Sequence, residues 1–280
     1  MQFTQFPIPF VKMSGTGNDF ILIDHRRPIF GSSEVAAEFA RRVCRRRFSV
    51  GADGLILIED SEQADFRWQF FNGDGSVAEM CGNGARCAAR FAYMHGIAPA
   101  RMRFETLAGI IEASVADTEV AVKMTTPGTA DLHTRVDLDG RAMELHCLDT
   151  GVPHAVVFTE DLDGVDVHRQ GSAIRFHEKF SPAGTNVNFV QVQEDGTIRV
   201  RTYERGVEAE TMACGTGAVA ASLIGALLDL VSSPVRVVTS GGDRLTISFD
   251  LQEDGRAENV FLRGPALVIY RGELNGEAVR

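Results

Sequence analysis

A repeated motif constrains the fold of this chain more than any other feature of its sequence. Cys81 lies in CGNGA and Cys214 in CGTGA, 133 residues further on, and each motif leads into an alanine-rich segment typical of a helix. Gly17 and Gly151 each precede a strand-like segment, and they lie 64 and 63 residues before the two cysteines. A motif pair with matched upstream spacing indicates an internal duplication.

The duplication predicts two domains of similar design, and a length of 280 residues also fits two domains. We place the boundary in the Thr-Thr-Pro-Gly segment at 125–128. Residues 1–126 then form the half that carries Cys81, and residues 127–268 form the half that carries Cys214. Residues 269–280 are expected to return to the first half.

Strand signals outnumber helix signals along the chain, which favours an α+β fold of mostly antiparallel strands over a parallel sheet. Three long helices are predicted, at Glu34–Arg47, Cys81–His95 and Cys214–Leu230. The predicted strands are the segments rich in branched and aromatic residues: Phe20–Asp24, Gly54–Glu59, Phe66–Phe71, Met102–Phe104, Ile110–Val115, Val120–Met124, His154–Phe158, Val187–Gln193, Thr197–Tyr203, Val235–Thr239, Leu245–Phe249, Phe261–Leu262 and Ala266–Tyr270.

Composition excludes several classes of protein. The formal charge of −10 argues against a protein that wraps nucleic acid, so the five arginines within Arg41–Arg47 are interpreted as a solvated helix face. The longest apolar run, Ala218–Leu228, is too short for the roughly 20 residues of a membrane span. Five widely spaced cysteines and the lack of a signal-like start favour a reducing compartment, the cytoplasm.

The two repeated cysteines suit acid–base chemistry at one carbon. A helix N-terminus presents free amides and partial positive charge, which lower a thiol pKa and bind a carboxylate. If two such halves face one ligand, one sulfur removes a proton from one face of a stereocentre while the other returns a proton to the opposite face. By contrast, Cys44, Cys87 and Cys147 are expected to be ordinary structural thiols.

No cofactor or metal is expected. Pyridoxal phosphate needs a lysine, and Lys12, Lys123 and Lys179 all lack a site-like sequence context. The seven histidines show neither HxH nor HExxH spacing, and no CxxC pair is present.

The motifs SGTGNDF, FFNGDGSVAEMCGNGARC, GTNVNF and ERGVEAETMACGTGA resemble those of the diaminopimelate epimerase family, in the same order along nearly the whole chain. This resemblance implies two pseudo-symmetric domains, each a curved sheet around a central helix, with the active site in the cleft between them. It implies an isomerase that interconverts LL- and meso-diaminopimelate without a cofactor, for lysine and peptidoglycan synthesis. The expected partners are the small-molecule substrate and a second copy of the chain in a homodimer, with no nucleic acid and no membrane.

The same resemblance assigns roles to individual residues. Cys81 and Cys214 correspond to the two acid–base residues, and His154 and Glu204 to residues that tune the thiols. Glu204 and Arg205 correspond to the pair that holds the distal amino-acid centre. The remaining substrate contacts are assigned to amide side chains and helix-end residues: Asn18, Asn72, Gly82, Asn83, Asn186, Gly215 and Thr216.

Two positions depart from the family pattern. Val152 stands where many members carry asparagine, and Gly54 where some carry glutamine. Polar contacts at these two positions are therefore missing or replaced in this chain.

Three other functions compete with this interpretation. A proline or hydroxyproline racemase of the same architecture typically carries histidine at the position of Asn83 and proline at that of Ala213. A cysteine hydrolase would use one cysteine as nucleophile with His154 as base. A redox switch would join Cys81 and Cys214 in a reversible disulfide and turn over no amino acid.

Overall fold

A computed structural model of the protein describes residues 6–138 and 140–280. The strands, in chain order, are β1 (Ile8–Gly15), β2 (Asn18–Asp24), β3 (Gly54–Glu59), β4 (Phe66–Asn72), β5 (Arg101–Thr106), β6 (Gly109–Ala116), β7 (Glu119–Lys123), β8 (Asp131–Leu138), β9 (Arg141–Asp149), β10 (Pro153–Phe158), β11 (Asn186–Val192), β12 (Ile198–Glu204), β13 (Ala209–Thr211), β14 (Val235–Thr239), β15 (Arg244–Leu251), β16 (Ala257–Pro265) and β17 (Leu267–Leu274). The α-helices are α1 (Ser33–Val43), α2 (Gly82–Met94), α3 (Val167–Arg175) and α4 (Gly215–Leu227), and short 3₁₀ helices lie at Glu178–Phe180 and Gly276–Val279.

The chain divides into two compact units. Unit 1 takes in the chain up to Val122 together with Gly264–Arg280, and unit 2 is the continuous segment Lys123–Arg263. Unit 1 therefore contains β17, which pairs antiparallel with β1.

Unit 1 and unit 2 share one pattern of strand pairing. In unit 1 the order β17-β1-β2-β3-β4-β5-β6-β7 has two parallel pairs, β2–β3 and β4–β5, and is otherwise antiparallel. In unit 2 the order β8-β9-β10-β11-β12-β14-β15-β16 places parallel pairs at the same two steps, β10–β11 and β12–β14. A helix connects each parallel pair: α1 and α2 in unit 1, α3 and α4 in unit 2. The predicted duplication and α+β class are confirmed.

The central strands of each unit are buried on both faces by alternating side chains. Phe20 and Leu22 of β2 point into the core around α2, whereas Ile21 and Ile23 point into the core around α1. Strands from β1 to β7 all contribute to the α2 core, so the sheet of unit 1 curves around that helix. In unit 2, α4 occupies the corresponding core, and its alanines and glycines let the surrounding strands approach closely.

The structure corrects several predicted elements. Helix α1 ends at Val43, not at Arg47: Cys44 is its C-cap and Arg47 has a left-handed backbone with φ 72°. Helix α4 ends at Leu227, not at Leu230, and Asp229 has φ 57°. Helix α3 and strands β1, β8, β9 and β13 were not predicted.

The arginine-rich segment is tied to acidic and backbone groups in unit 1. Arg41 and Arg42 pair with Glu38, and Arg46 pairs with Asp19 and Asp53. Phe39 and Val43 point into the core, as predicted for this helix. Only Arg41 and Arg42 lie on its solvated face, because Arg45, Arg46 and Arg47 follow the end of α1. In the described part of the chain, no helix is both long enough and apolar enough to cross a membrane.

Candidate functional site

Cys81 and Cys214 occupy the same position in two equivalent helices. Each is the N-cap residue, with extended backbone (φ −149° and −126°), and neither side chain caps its helix. By contrast, Ser32 and Asp166 cap α1 and α3 through their side-chain oxygens. The first backbone amides of α2 and α4 therefore receive no side-chain cap from the N-cap residue, which is the condition for binding an anionic group.

The cysteine of unit 2 touches its own helix end. Cys214 Sγ lies 3.4 Å from Thr216 Oγ1. A methyl group added at Gly217 would lie 2.2 Å from Asn188 Oδ1 and 3.3 Å from Cys214 Sγ. The thiol and the Asn188 amide thus adjoin the same point of the helix, and only glycine fits between them.

In unit 1, a two-residue turn brings Asn18 to the start of α2. Thr16 and Gly17 connect β1 to β2 with φ 55° and 84°, the combination of a type I′ turn. A left-handed backbone is unfavourable for a β-branched residue such as Thr16. Asn83 offsets this cost, since its Nδ2 donates to the Thr16 carbonyl (3.2 Å) and to Asn18 Oδ1 (2.8 Å). Asn18 and Asn83, both predicted site residues, are therefore in direct contact.

Arg86 holds the same turn from inside helix α2 and was not predicted. Its side chain is fully buried, and its Nη2 donates to Thr16 Oγ1 (2.6 Å) and Asn83 Oδ1 (2.9 Å). Its Nη1 donates to the Gly82 carbonyl (3.3 Å). An arginine inside the otherwise small-residue run of α2 was the sequence signal that could have identified it.

Asn72 lies at the same end of the sheet as Asn18. Gly54 of β3 pairs with both Phe20 and Asn72, so the start of β2 and the end of β4 lie together. Asn72 Nδ2 donates to Ser76 Oγ (2.9 Å) within the loop that leads to Cys81. Gly54 has no room for a side chain, because a Cβ there would lie 2.6 Å from the Phe70 ring and 2.7 Å from the Phe71 carbonyl oxygen.

In unit 2, Asn186 contacts the residue predicted to hold the distal carboxylate. Asn186 Oδ1 accepts a hydrogen bond from the Arg205 backbone amide (2.8 Å), and the Arg205 guanidinium donates to the Ala183 carbonyl (3.2 Å). Beside it, burial raises the pKa of the Glu204 carboxyl above its ordinary value. Carboxyl groups with a raised pKa are frequent at functional sites.

His154 is almost completely buried, with 1% of its surface exposed. Burial, and secondarily the charge of Arg205, lowers its pKa to about 3, so the ring is neutral near pH 7. Nδ1 contacts Asn188 Nδ2 at 3.0 Å, while Nε2 is buried with no hydrogen-bond partner among the described residues. The sequence motif predicts Asn186, and not Asn188, as a site residue. The contact between Asn188 and His154 is known from the structure alone.

The other three cysteines have different surroundings. Burial raises the pKa of Cys44 and of Cys87 to about 12, and it also raises the pKa of Cys147. Thiols of this kind are poor proton donors and acceptors near neutral pH. Among the described residues, no three His, Cys, Asp or Glu side chains are grouped so that they could hold a metal ion.

Comparisons with known proteins agree with the repeated design. Residues 10–130 and 146–268 both match the family model described as diaminopimelate epimerase. The diaminopimelate epimerase of Aquifex aeolicus is 49% identical over 96% of this chain and 99% of its own length, and that of Archaeoglobus fulgidus is 43% identical over 98% of both.

Solved structures share the fold at low identity. A phenazine biosynthesis protein of the PhzF family from Bacillus anthracis matches with a TM-score of 0.72 and 17% identity, covering 97% of this chain and all of its own. A hydroxyproline epimerase from Agrobacterium vitis matches with a TM-score of 0.69 and 13% identity, covering 99% and 94%. At these identities the likeness concerns fold alone, whereas the family model and the curated relatives cover the chain at up to 49% identity. The chain therefore belongs to the diaminopimelate epimerase family.

Proposed function

We propose that this protein interconverts LL- and meso-diaminopimelate without a cofactor, by two-base proton transfer between Cys81 and Cys214. One observation carries the proposal: in a chain of this family, two units of matching topology each begin their central helix with a cysteine whose side chain leaves the helix uncapped. Membership of the family supports the choice of substrate.

The mechanism moves one proton off the α-carbon and another onto it. One cysteine, as thiolate, takes the α-hydrogen and becomes a thiol, leaving a carbanion conjugated with the carboxylate. The other cysteine, as thiol, donates its proton to the opposite face and becomes a thiolate. Amides at the helix starts, at Gly82-Asn83 and Gly215-Thr216, stabilise the charge that develops on the carboxylate oxygens.

We assign the substrate's distal end to Glu204 and Arg205. A guanidinium binds both oxygens of a carboxylate, which diaminopimelate has at its second centre and proline lacks. In the structure this guanidinium donates to the neutral Ala183 backbone carbonyl at 3.2 Å, and a carboxylate is a stronger acceptor than a neutral carbonyl. Asn18, Asn72 and Asn186 are assigned to the polar groups of the reacting centre.

Incubation of the purified protein with LL-diaminopimelate tests the proposal directly. We expect the meso isomer to form, and we expect Cys81→Ala and Cys214→Ala each to abolish its formation while leaving the circular dichroism spectrum unchanged. Cys147→Ala is the matched control, since it removes a half-buried thiol outside the helix starts and should retain activity. Substantial turnover by either helix-end variant would exclude the two-thiol mechanism.

The racemase alternative is tested in the same assay with proline and trans-4-hydroxyproline. Where those racemases typically carry histidine, Asn83 here donates to Asn18 and accepts from Arg86. Proline has no second carboxylate for Arg205 to bind, so we expect no turnover of either imino acid. Inversion of proline at a rate similar to that of diaminopimelate would favour the alternative.

A homodimer in the cytoplasm is proposed for the assembled enzyme. Strand β17 exposes the apolar side chains of Leu267 and Ile269 on one face, at 42% and 54%. Ile269→Asp should lower the mass measured by sedimentation from dimer to monomer. Leu251→Asp, at an exposed apolar position on β15, is the control expected to leave the mass unchanged.

A further inference from the structure

Three buried polar residues of unit 2 stand where unit 1 has three apolar ones. His154 and Asn186 form the first pair of β10 and β11, as Phe20 and Gly54 form that of β2 and β3. Two residues further along, Asn188 pairs with Thr202, as Ile56 pairs with Phe70. The set His154, Asn188 and Thr202 thus corresponds to the set Phe20, Ile56 and Phe70.

The apolar set needs no explanation beyond packing. Phe20 and Phe70 meet edge to face with ring centroids 5.8 Å apart, within the core around α2. In the polar set, Asn188 is completely buried, and His154 and Thr202 are 1% and 3% exposed. Burying three polar side chains at these positions is costly unless their hydrogen bonds are satisfied, so their placement calls for a reason.

The hydrogen bonds of Asn188 fix which nitrogen of His154 carries the proton. The carbonyl of Ala155 can only accept, so the atom 3.1 Å from it must be Asn188 Nδ2. The Thr202 hydroxyl donates to Asn188 Oδ1 at 3.0 Å, which agrees with that orientation. The second hydrogen of Nδ2 then points to His154 Nδ1, 3.0 Å away, which must offer a lone pair.

We propose that Asn188, held by Thr202, is a positioning residue that keeps His154 as the neutral Nε2–H tautomer and aims this hydrogen at an anionic acceptor in the active site. Nε2 is buried and has no hydrogen-bond partner among the described residues. Its hydrogen is therefore available to an acceptor on a ligand. Asn188 Oδ1 and Cys214 Sγ both adjoin Gly217, so the network reaches the start of α4. The acceptor is a carboxylate oxygen of the ligand or a thiolate, and this identification rests on the proposed function.

In this arrangement His154 is a hydrogen-bond donor and not a proton acceptor. Its Nδ1 lone pair is occupied by Asn188, and its low pKa disfavours the imidazolium form. His154 therefore stabilises negative charge without exchanging a proton. This also argues against the hydrolase alternative, in which His154 serves as a base.

Nitrogen-15 NMR of histidine-labelled protein without substrate tests the tautomer. The signals of His154 are those that disappear in the spectrum of His154→Gln. In the wild type we expect them to show an unprotonated Nδ1 and a protonated Nε2. Asn188→Asp places only acceptors beside Nδ1, so the proton should move to Nδ1 and kcat/KM should fall about 10–100-fold. His146, whose Nδ1 accepts from the His133 amide, is the internal control whose signals should not change.

Thr202 provides a milder pair of variants if the buried aspartate prevents folding. Thr202→Val keeps the shape and removes the hydroxyl, so the Nε2–H population and kcat/KM should both fall, the latter about tenfold. Thr202→Ser keeps the hydroxyl and should restore both. A wild-type Nδ1–H tautomer, or a Thr202→Val protein with unchanged tautomer and rate, would overturn the proposal. Absence of diaminopimelate turnover in a wild type that shows the Nε2–H tautomer would instead refute the proposed function alone.

Discussion

At the residue scale, similar side chains differ in function because of where the backbone places them. Cys81 and Cys87 lie in one segment, but Cys81 is the N-cap of α2, whereas Cys87 is completely buried in the core with its pKa raised to about 12. The repeated motif distinguished Cys81 from Cys87 in the sequence. Arg86, between them, was missed because its role depends on Thr16, which is 70 residues away in the chain.

Arg86→Met should lower both stability and activity. The substitution leaves Thr16 Oγ1 and Asn83 Oδ1 without their donor, and an unsatisfied buried polar atom costs about 1–3 kcal/mol. We expect the free energy of unfolding to fall by about 2–4 kcal/mol, and kcat/KM to fall because Asn18 and Asn83 lose their positions. Urea denaturation and the epimerase assay measure the two effects.

Arg90→Met is the matched control for Arg86, one turn further along α2. Arg90 is only partly buried and donates to the carbonyls of Asp117 and Ala266. Its loss should affect stability less and leave kcat/KM near the wild-type value. Equal effects of the two variants would mean that Arg86 only fills space.

His154 should make stability depend on pH below about 6.5. The folded-state pKa is lowered to about 3, against about 6.5 in the unfolded chain, so the unfolded state takes up a proton that the folded state does not. The stability from neutral His154 is complete above pH 6.5 and is lost as the pH falls towards 3. The slope should approach about 1.4 kcal/mol per pH unit.

Denaturation of His154→Gln at pH 6.5 and pH 5 measures this contribution. The difference in unfolding free energy between the two pH values should be smaller in the variant than in the wild type. His168→Gln, which replaces an exposed histidine, should keep the wild-type difference. An unchanged pH dependence in His154→Gln would show that His154 is charged in the folded protein.

At the element scale, the two central helices differ in what their first turns touch. A Cβ at Gly84 of α2 would lie 3.3 Å from the Ile56 side chain, whereas a Cβ at the equivalent Gly217 of α4 would lie 2.2 Å from Asn188. The second glycine of CGTG is thus required by a buried amide, whereas the second glycine of CGNG meets only the end of an apolar side chain. The two motifs look alike in sequence but are constrained differently.

Gly217→Ala should destabilise the protein although alanine favours helix. Replacing a helical glycine by alanine normally stabilises by about 1 kcal/mol, but here the methyl group would displace Asn188 from its hydrogen bonds. We expect a lower melting temperature and lower kcat/KM. Gly82→Ala is the control, because a Cβ at Gly82 would meet no atom within 4 Å, and its melting temperature should not fall. A Gly217→Ala protein that is more stable than the wild type would contradict the close approach of Asn188 to Gly217.

Elements were predictable where burial and periodicity agreed. Strands such as β3 and β14 were predicted with the bounds that the structure has, since branched residues fill them. Helix α3 was missed because it is short and contains Gly171, which packs against Tyr203 of β12 and depends on tertiary context. Its N-cap, Asp166, was the one local signal in the sequence.

At the scale of the whole molecule, the proposed mechanism uses one thiol from each unit. The epimerisation should therefore show a two-base pattern of isotope uptake in deuterated water. A thiol exchanges its proton rapidly with solvent, so early product should carry deuterium at the inverted α-carbon. The abstracted proton stays on the other sulfur, so recovered substrate should remain mostly protonated.

Mass spectrometry of separated substrate and product decides between one base and two. Early product that keeps its original hydrogen would indicate a single base that serves both faces. That outcome would exclude the assignment of Cys81 and Cys214 even if both were essential. Complete absence of α-carbon exchange would instead favour the hydrolase or redox alternatives.

The overall architecture was predictable because it is repeated. Two copies of CGxGA at matched spacing indicated the duplication, and the shared strand order confirms it. What the repeat could not reveal is the reason why the copies differ: Phe20 packs in an apolar core, whereas His154 at the equivalent position belongs to a buried hydrogen-bond network. The domain boundaries and site roles assigned from sequence remain predictions.

Strand β17 has a consequence for the order in which the chain acquires its structure during synthesis. Ile8 of β1 pairs with Leu274, so unit 1 cannot complete its sheet until Leu274 and all of unit 2 before it have left the ribosome. Unit 2 is continuous and can form first. Once it has folded, the loop that must close for β17 to pair with β1 is effectively shorter, so closing it costs less entropy. The second half of the polypeptide thereby acts as an internal scaffold for the first.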